Sequence, residues 1–227
     1  MENVQIVGAK PNKKIVNDSN LCFYQNIEVE KFKDFARQIG LENGPDIEAI
    51  YPHIERAKHV VEIGAGYGRA LDKVLEKGYQ GSLSAIERVP HLISYMKQKF
   101  GSKVRLFQQD AKEITLPYQA DCMLWLWSGI MEMSKAEYTK AFHKMYAQLS
   151  KNGKLIVETP YKEIKVLGEF CEENHIVFET EWGKIDAYWP KASELKKAAF
   201  NCGFQKAEEV VYQTARGIDR IIYVLYK

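Results

Sequence analysis

The chain has 227 residues, 46% of them hydrophobic, and carries 32 basic against 30 acidic side chains for a net charge of +2. That length suits one domain with a substantial core, and the near-balance of charge provides no electrostatic footprint for nucleic acid or a membrane surface. Cys22, Cys122, Cys171 and Cys202 lie far apart with no C-x-x-C, no stretch approaches a membrane span, and the polar N-terminus has no apolar signal core. A cytoplasmic protein with reduced thiols and no zinc site is therefore expected.

Residues 1–20 predict a loosely ordered segment, and residues 21–227 a single domain. Val29, Phe32, Phe35, Ala36 and Ile39 recur at helical spacing, and Gly40 is placed to end that helix. Pro45 opens a second short helix with Ile47, Ile50 and Ile54 on its apolar face. Val60-Val61-Glu62-Ile63 then reads as a buried strand. It runs into Gly64-Ala65-Gly66-Tyr67-Gly68 and a helix over 69–77 that Gly78 ends. Glycine accepts positive φ and lets the backbone approach a ligand closely. The N–H groups that open the following helix are free to meet a polar or anionic group. Such a loop marks a nucleotide-type site at the carboxyl end of a sheet strand. The dinucleotide spacing Gly-x-Gly-x-x-Gly/Ala fails because Arg69 stands at its third small position. A P-loop fails because no Gly-Lys-Ser/Thr follows.

A second strand over 81–87 ends in Glu87, 19 positions after Gly68. A carboxylate there can accept hydrogen bonds from a ribose. Pro90 opens a helix to residue 100, and a third strand over 104–108 leads to Asp110 and Ala111. Asp110 admits two uses, as a helix N-cap or as an acceptor for an amino group. The run 121–127 is a fourth strand, apolar after Asp121 as suits a strand buried on both faces. A helix is expected over 130–149, with Ser134 as an N-cap and Glu137 completing a capping box. A tight turn over 151–154 precedes a fifth strand at 155–158.

Residues 159–190 depart from alternating strands and helices. A helical turn over 167–174 and two short strands, 175–180 and 184–189, are expected there, as an insert over the site. From Glu158 through Asp186 there are eight acids against three lysines, a balance that suits a small or cationic ligand better than a phosphate backbone. A helix over 193–201 with Ser193 as its cap and a hairpin of strands 205–213 and 220–226 complete the chain.

The series Glu62-x-Gly64-x-Gly66-x-Gly68, with Glu87 and Asp110 in register behind it, resembles the motifs of the class I S-adenosylmethionine-dependent methyltransferases. The resemblance covers residue 21 to the C-terminus. It implies an α/β fold: a doubly wound, seven-stranded, mostly parallel sheet with a C-terminal antiparallel hairpin. It also implies an N-terminal helical cap (21–56) and reads 159–190 as a substrate lid after the fifth strand. The implied cofactor is S-adenosyl-L-methionine, leaving as S-adenosyl-L-homocysteine. Glu62, Gly64, Ala65, Gly66 and Gly68 would cradle its methionine end. Glu87 would take the ribose hydroxyls with Arg88 alongside, Asp110 the adenine amine, and Ala111 a backbone contact. Trp127 and Ser128 would lie beside the sulfonium, and Tyr24 would cover the cofactor from the cap. From the residues alone, Tyr24 and Trp127 serve equally as core packing.

Two family signatures are absent. No Asn/Asp-Pro-Pro-Tyr/Phe follows the fourth strand, and no acid cluster suggests a bound divalent metal. Amino-nucleobase methylation and metal-assisted O-methylation are thereby disfavoured. The expected reaction is metal-independent transfer to a small-molecule N or O nucleophile. A protein side chain is the alternative acceptor, and a cofactor-binding protein without turnover is the non-enzymatic alternative. Tyr161, His175 and Tyr188 are candidate bases or substrate contacts, and no spacing singles one out.

Overall fold

The computed structural model describes residues 18–161, 169–172 and 174–227. Five parallel strands carry the first half of the sheet: β1 (His59–Ile63), β2 (Ser82–Glu87), β3 (Val104–Gln108), β4 (Ala120–Trp125) and β5 (Leu149–Pro160). Two more strands, β9 (Lys206–Gln213) and β10 (Asp219–Tyr226), form an antiparallel hairpin, and β10 pairs with β5. The sheet order is β3-β2-β1-β4-β5-β10-β9, a seven-stranded, doubly wound, mostly parallel sheet as expected. The chain reverses direction across the sheet between β1 and β4, the place where such folds open a crevice.

Alternate strand residues point to opposite faces, and each set is buried by helices. Val60, Leu83, Ala85, Cys122, Leu124 and Ile156 pack on one face. Helices α3 (Pro45–Ile54), α4 (Arg69–Glu76) and α5 (Pro90–Phe100) cover them. Val61, Ile63, Met123, Trp125, Leu155 and Val157 pack on the other, under α6 (Lys135–Gln148) and α7 (Ala192–Asn201). Ile47, Ile50 and Ile54 of α3 are wholly buried, worth about 1.5–3 kcal/mol each. The capping box at Ser134 and Glu137 forms. By contrast α7 starts one residue early, at Ala192 after Lys191, so Ser193 lies inside the helix and does not cap it.

Other departures have local causes. Asn152 adopts φ 65° inside β5, and the pairing with β4 slips between Leu149 and Lys154. The expected turn over 151–154 is therefore an irregularity within one long strand. Thr159 and Pro160 stay in the sheet opposite Ile221 and Arg220, so the chain leaves it later than expected. Residues 169–172 form strand β6 (Glu169–Glu172) in place of a helical turn, because they pair with β7 (His175–Thr180). The rest of that expected turn lies partly outside the described residues. With β8 (Gly183–Tyr188), β6 and β7 make a small antiparallel sheet in the order β6-β7-β8.

Ahead of α2 (Val29–Ile39) stands a helix that periodicity did not predict, α1 (Ser19–Asn26). The Asp18 carboxylate caps it, accepting from the Leu21 N–H at 2.9 Å. The loosely ordered segment expected to reach residue 20 thus gives way by residue 18. Its residues 1–17 lie outside the described part. Buried Asn20 uses its amide as a strand neighbour would. It donates to the Asp186 carbonyl at 2.9 Å and accepts from the Asp186 N–H at 2.7 Å, while Ser19 donates to the Asp186 carboxylate at 2.5 Å. This ties α1 to β8. A third apolar cluster, built on Phe23, Ile27, Phe32, Ala36, Tyr67 and Val89, joins α1 and α2 to the glycine loop.

Among the described residues no helix is long and apolar enough to cross a membrane, and no group of three or more His, Cys, Asp or Glu could hold a metal ion.

Candidate active site

A cavity of about 650 Å³ opens where β1, β2, β3 and β4 end. The glycines of the loop after β1 have separate tasks. Gly64 (φ 63°) lines the cavity, and a Cβ added there would meet nothing within 4 Å. The gap it leaves is therefore available to a ligand. A Cβ on Gly66 (φ 58°) would come within 3.0 Å of the Phe32 ring. At Gly68 (φ 77°) it would come within 2.5 Å of Phe100, which makes that glycine a helix-packing residue.

Glu87 ends β2 at the cavity wall. One carboxylate oxygen accepts from the Gly66 N–H at 2.8 Å, the other from the N–H groups of Arg88 at 2.7 Å and Val89 at 2.9 Å. The carboxylate thus fixes the glycine loop and still faces the cavity with spare lone pairs. Burial raises its pKa above the ordinary value, against the pull of those three N–H groups. Asp110 does both things the sequence allowed: it caps a short turn by accepting from the Lys112 N–H at 2.8 Å, and it lines the cavity.

The Arg88 guanidinium meets three carboxylates here: Asp18 at 2.5 Å, Asp110 at 3.4 Å and Glu132 at 3.6 Å. Glu132 ends a short turn after β4, lies against the Tyr24 hydroxyl and lines the cavity. Its surroundings push its carboxyl up to about 7, chiefly by burial, against the opposing pull of Arg88 and Tyr24. The adjoining wall is aromatic. Tyr24 packs on Phe32 at 5.6 Å between ring centres, and Phe32 on Trp127 at 5.0 Å.

Trp127 and Ser128 follow β4 with φ of 49° and 59°. Such angles cost a non-glycine residue about 1–2 kcal/mol. Buried side chains from the far strands hold them there. Glu158 of β5 accepts from the Trp127 N–H and pairs with Arg220 of β10, Arg220 donates to the Ser128 hydroxyl at 2.5 Å, and the Tyr212 hydroxyl donates to Glu158 at 2.6 Å. Glu158, counted by sequence among the acids of the insert, is wholly buried beneath the site.

Of the residues expected at the cofactor, Tyr24, Gly64, Gly66, Glu87, Arg88, Asp110, Ala111 and Trp127 line this cavity. Glu62, Ala65, Gly68 and Ser128 stand behind its wall. Glu62 is buried with one carboxylate oxygen unpartnered, and burial pushes it up to about 8 although Arg69 opposes the shift. Arg69 is itself buried, gripping Asp46 at 2.5 and 2.9 Å and the Leu41 carbonyl at 2.9 Å. None of the candidate bases lines the cavity. Tyr161 is 41% exposed, and His175 stacks on Tyr188 and hydrogen-bonds to Asp186 at 3.2 Å. Sequence reading missed Asp18 and Glu132, which carry no motif. It read Phe32 only as a helix-face residue.

Residues 60–153 match the family model described as a methyltransferase domain. No curated protein matches the chain. Among solved structures, an S-adenosylmethionine-dependent methyltransferase from Clostridium acetobutylicum aligns with a TM-score of 0.67 at 14% identity, over 87% of this chain and 98% of that one. An amino pentose methyltransferase from Micromonospora echinaspora, bound to S-adenosylmethionine, aligns at 0.62 with 16% identity over 87% and 97%. A Burkholderia thailandensis 1,6-didemethyltoxoflavin-N1-methyltransferase, holding its acceptor and S-adenosylhomocysteine, aligns at 0.66 with 15% identity over 97% and 93%. At such identities the likeness is one of fold. The matched domain and that fold define a class I methyltransferase architecture. Residues 60–153 of the chain thus carry a methyltransferase domain.

Proposed function

We propose that this protein transfers a methyl group from S-adenosylmethionine to a nitrogen or oxygen nucleophile on a small molecule, without a metal. The observation that carries the reading is the single cavity wall on which Gly64, Glu87 and Asp110 converge. Gly64 leaves the space a methionine moiety needs, Glu87 offers acceptors to a ribose, and Asp110 offers acceptors to an amino group. The bound cofactor supplies an electrophilic methyl on a sulfonium. The chain supplies orientation, exclusion of water, and rings that favour positive charge.

The cavity size falls within the range typical of small-molecule sites. The neighbours that act on an amino pentose and a toxoflavin precursor carry the same fold and support a small acceptor. Gly64, Gly66, Glu87, Arg88, Asp110, Ala111, Trp127 and Tyr24 are assigned to the cofactor, with Glu62, Ala65, Gly68 and Ser128 shaping the loop and the strand end behind it. Residues 21–56 are assigned as the cap and the small sheet β6-β7-β8 as the lid.

Calorimetry with S-adenosylhomocysteine and with NAD tests the site. The expected result is micromolar or tighter binding of the first and none of the second, and tight NAD binding overturns the reading.

A further inference from the structure

Resting on that reading, we propose that the methyl acceptor is an amine, and that Glu132 is the carboxylate that holds its ammonium form and takes its proton. The charge around the cavity is the first reason. Asp18, Glu87, Asp110 and Glu132 face one guanidinium, that of Arg88. The other charged groups on the wall are already matched: Lys112 pairs with Glu137 at 3.0 Å, and Asp186 with Lys184 at 3.2 Å. S-adenosylmethionine brings one net positive charge, which leaves the wall still negative. A second cation is attracted there and an anionic acceptor is repelled.

Glu132 is the carboxylate with capacity to spare. Glu87 and Asp110 already accept from backbone N–H groups and are assigned to the cofactor, and Asp18 is committed to a helix N-terminus and the shortest Arg88 contact. Glu132 has the longest contact to Arg88, the Tyr24 hydroxyl, and a side chain 26% exposed. Tyr24 also begins the ring series Tyr24–Phe32–Trp127, so an ammonium beside Glu132 has aromatic surface next to it. The chemistry gives the second reason. An alcohol is far too weak an acid to surrender its proton to a carboxylate, whereas an ammonium is suited to that exchange. Glu132 takes one proton from the ammonium and the freed lone pair forms the N–C bond. The C–S bond breaks with its electron pair left on sulfur, the product is an N-methylammonium, and the proton passes from Glu132 to water.

The test has three readouts. First, the protein is incubated with S-adenosylmethionine carrying a trideuteromethyl group and a fractionated metabolite extract, and labelled products are identified by mass spectrometry. Label on nitrogen is expected. Label on oxygen, carbon or sulfur overturns the amine assignment and leaves methyl transfer standing, whereas no label in any fraction overturns both.

Second, the labelled metabolite's unmethylated form is titrated into protein saturated with S-adenosylhomocysteine. E132Q should weaken its binding at least tenfold with S-adenosylhomocysteine affinity within twofold of wild type. Equal acceptor affinity overturns the role of Glu132.

Third, kcat/KM is followed against pH. In the wild type it should rise through about pH 7 as Glu132 ionises, among the facing groups Tyr24, Glu87, Arg88 and Asp18. E132Q should lose that limb and about 10²–10⁴-fold in rate, and E132D should restore part of both. A limb unchanged in E132Q overturns the assignment.

Discussion

Arg69 and Arg88 are both held by carboxylates, yet the two clusters are built for opposite ends. Arg69 is sealed: its exposure is 6%, that of its partner Asp46 is zero, and the contacts are two-pronged. It anchors the start of α4 to α3, so the glycine loop between β1 and α4 has one fixed end. Arg88 is a fifth exposed and shared among three carboxylates at graded distances. A buried charge pair held by a two-pronged contact sets position. A cluster with surplus acid at a cavity leaves binding capacity for something else.

The sharpest way to break this contrast is Asp46→Asn. It strands a buried guanidinium and should cost about 3–5 kcal/mol, read from urea unfolding. A loss under about 1 kcal/mol would show the cluster to be relaxed and the contrast false. Next comes Gly64→Val, which fills the one glycine gap that opens on the cavity. S-adenosylhomocysteine affinity should fall at least 100-fold, equivalent to about 2.8 kcal/mol. Strain at positive φ should lower stability by only about 1–2 kcal/mol. Unchanged affinity would move the cofactor away from this loop.

A third effect is the pH dependence that the carboxyl beside the sealed cluster adds. Glu62, beside Arg69, is raised to about 8 in the folded chain. The folded form therefore keeps a proton that the unfolded form loses above about pH 4.5. Stability is fully present below that pH and declines as pH rises toward 8, with a limiting slope of about 1.4 kcal/mol per pH unit. Glu62→Gln should reduce the slope across that window, leaving the part due to Glu132, whose carboxyl is raised to about 7. If the wild-type and variant curves run parallel, Glu62 is not the group responsible. The smallest effect is Asp18→Asn on the open side. Its pair with Arg88 is partly solvated, so thermal unfolding should show a loss of about 1 kcal/mol or less. A loss matching that of Asp46→Asn would erase the distinction between sealed and open.

The same contrast explains what was legible in the sequence. Elements with a strong period were readable: β1, β2, β3, the β9–β10 hairpin and the capping box at Ser134 all came from local pattern. So did Gly64, Glu87 and Asp110, because a motif fixes their spacing. The sequence signal at Arg69 excluded a dinucleotide and said nothing of Asp46, 23 positions earlier. Glu158, Arg220 and Ser128 meet through the sheet, across 62 and 92 positions. Glu132 acquires its role from Arg88 and Tyr24, neither a sequence neighbour. α1 was missed because its apolar residues are too few to make a period. Its helix depends on Asp18 at one end and on β8 along its side.

That dependence on β8 has a temporal side. Asn20 and its partner Asp186 are 166 positions apart. During synthesis at about 5–20 residues per second, α1 leaves the ribosome on the order of 10–30 s before the strand it needs. The walls formed by β1 to β4 are made in that interval. The α1–β8 contact that covers the cavity therefore cannot form until β8 has been synthesised.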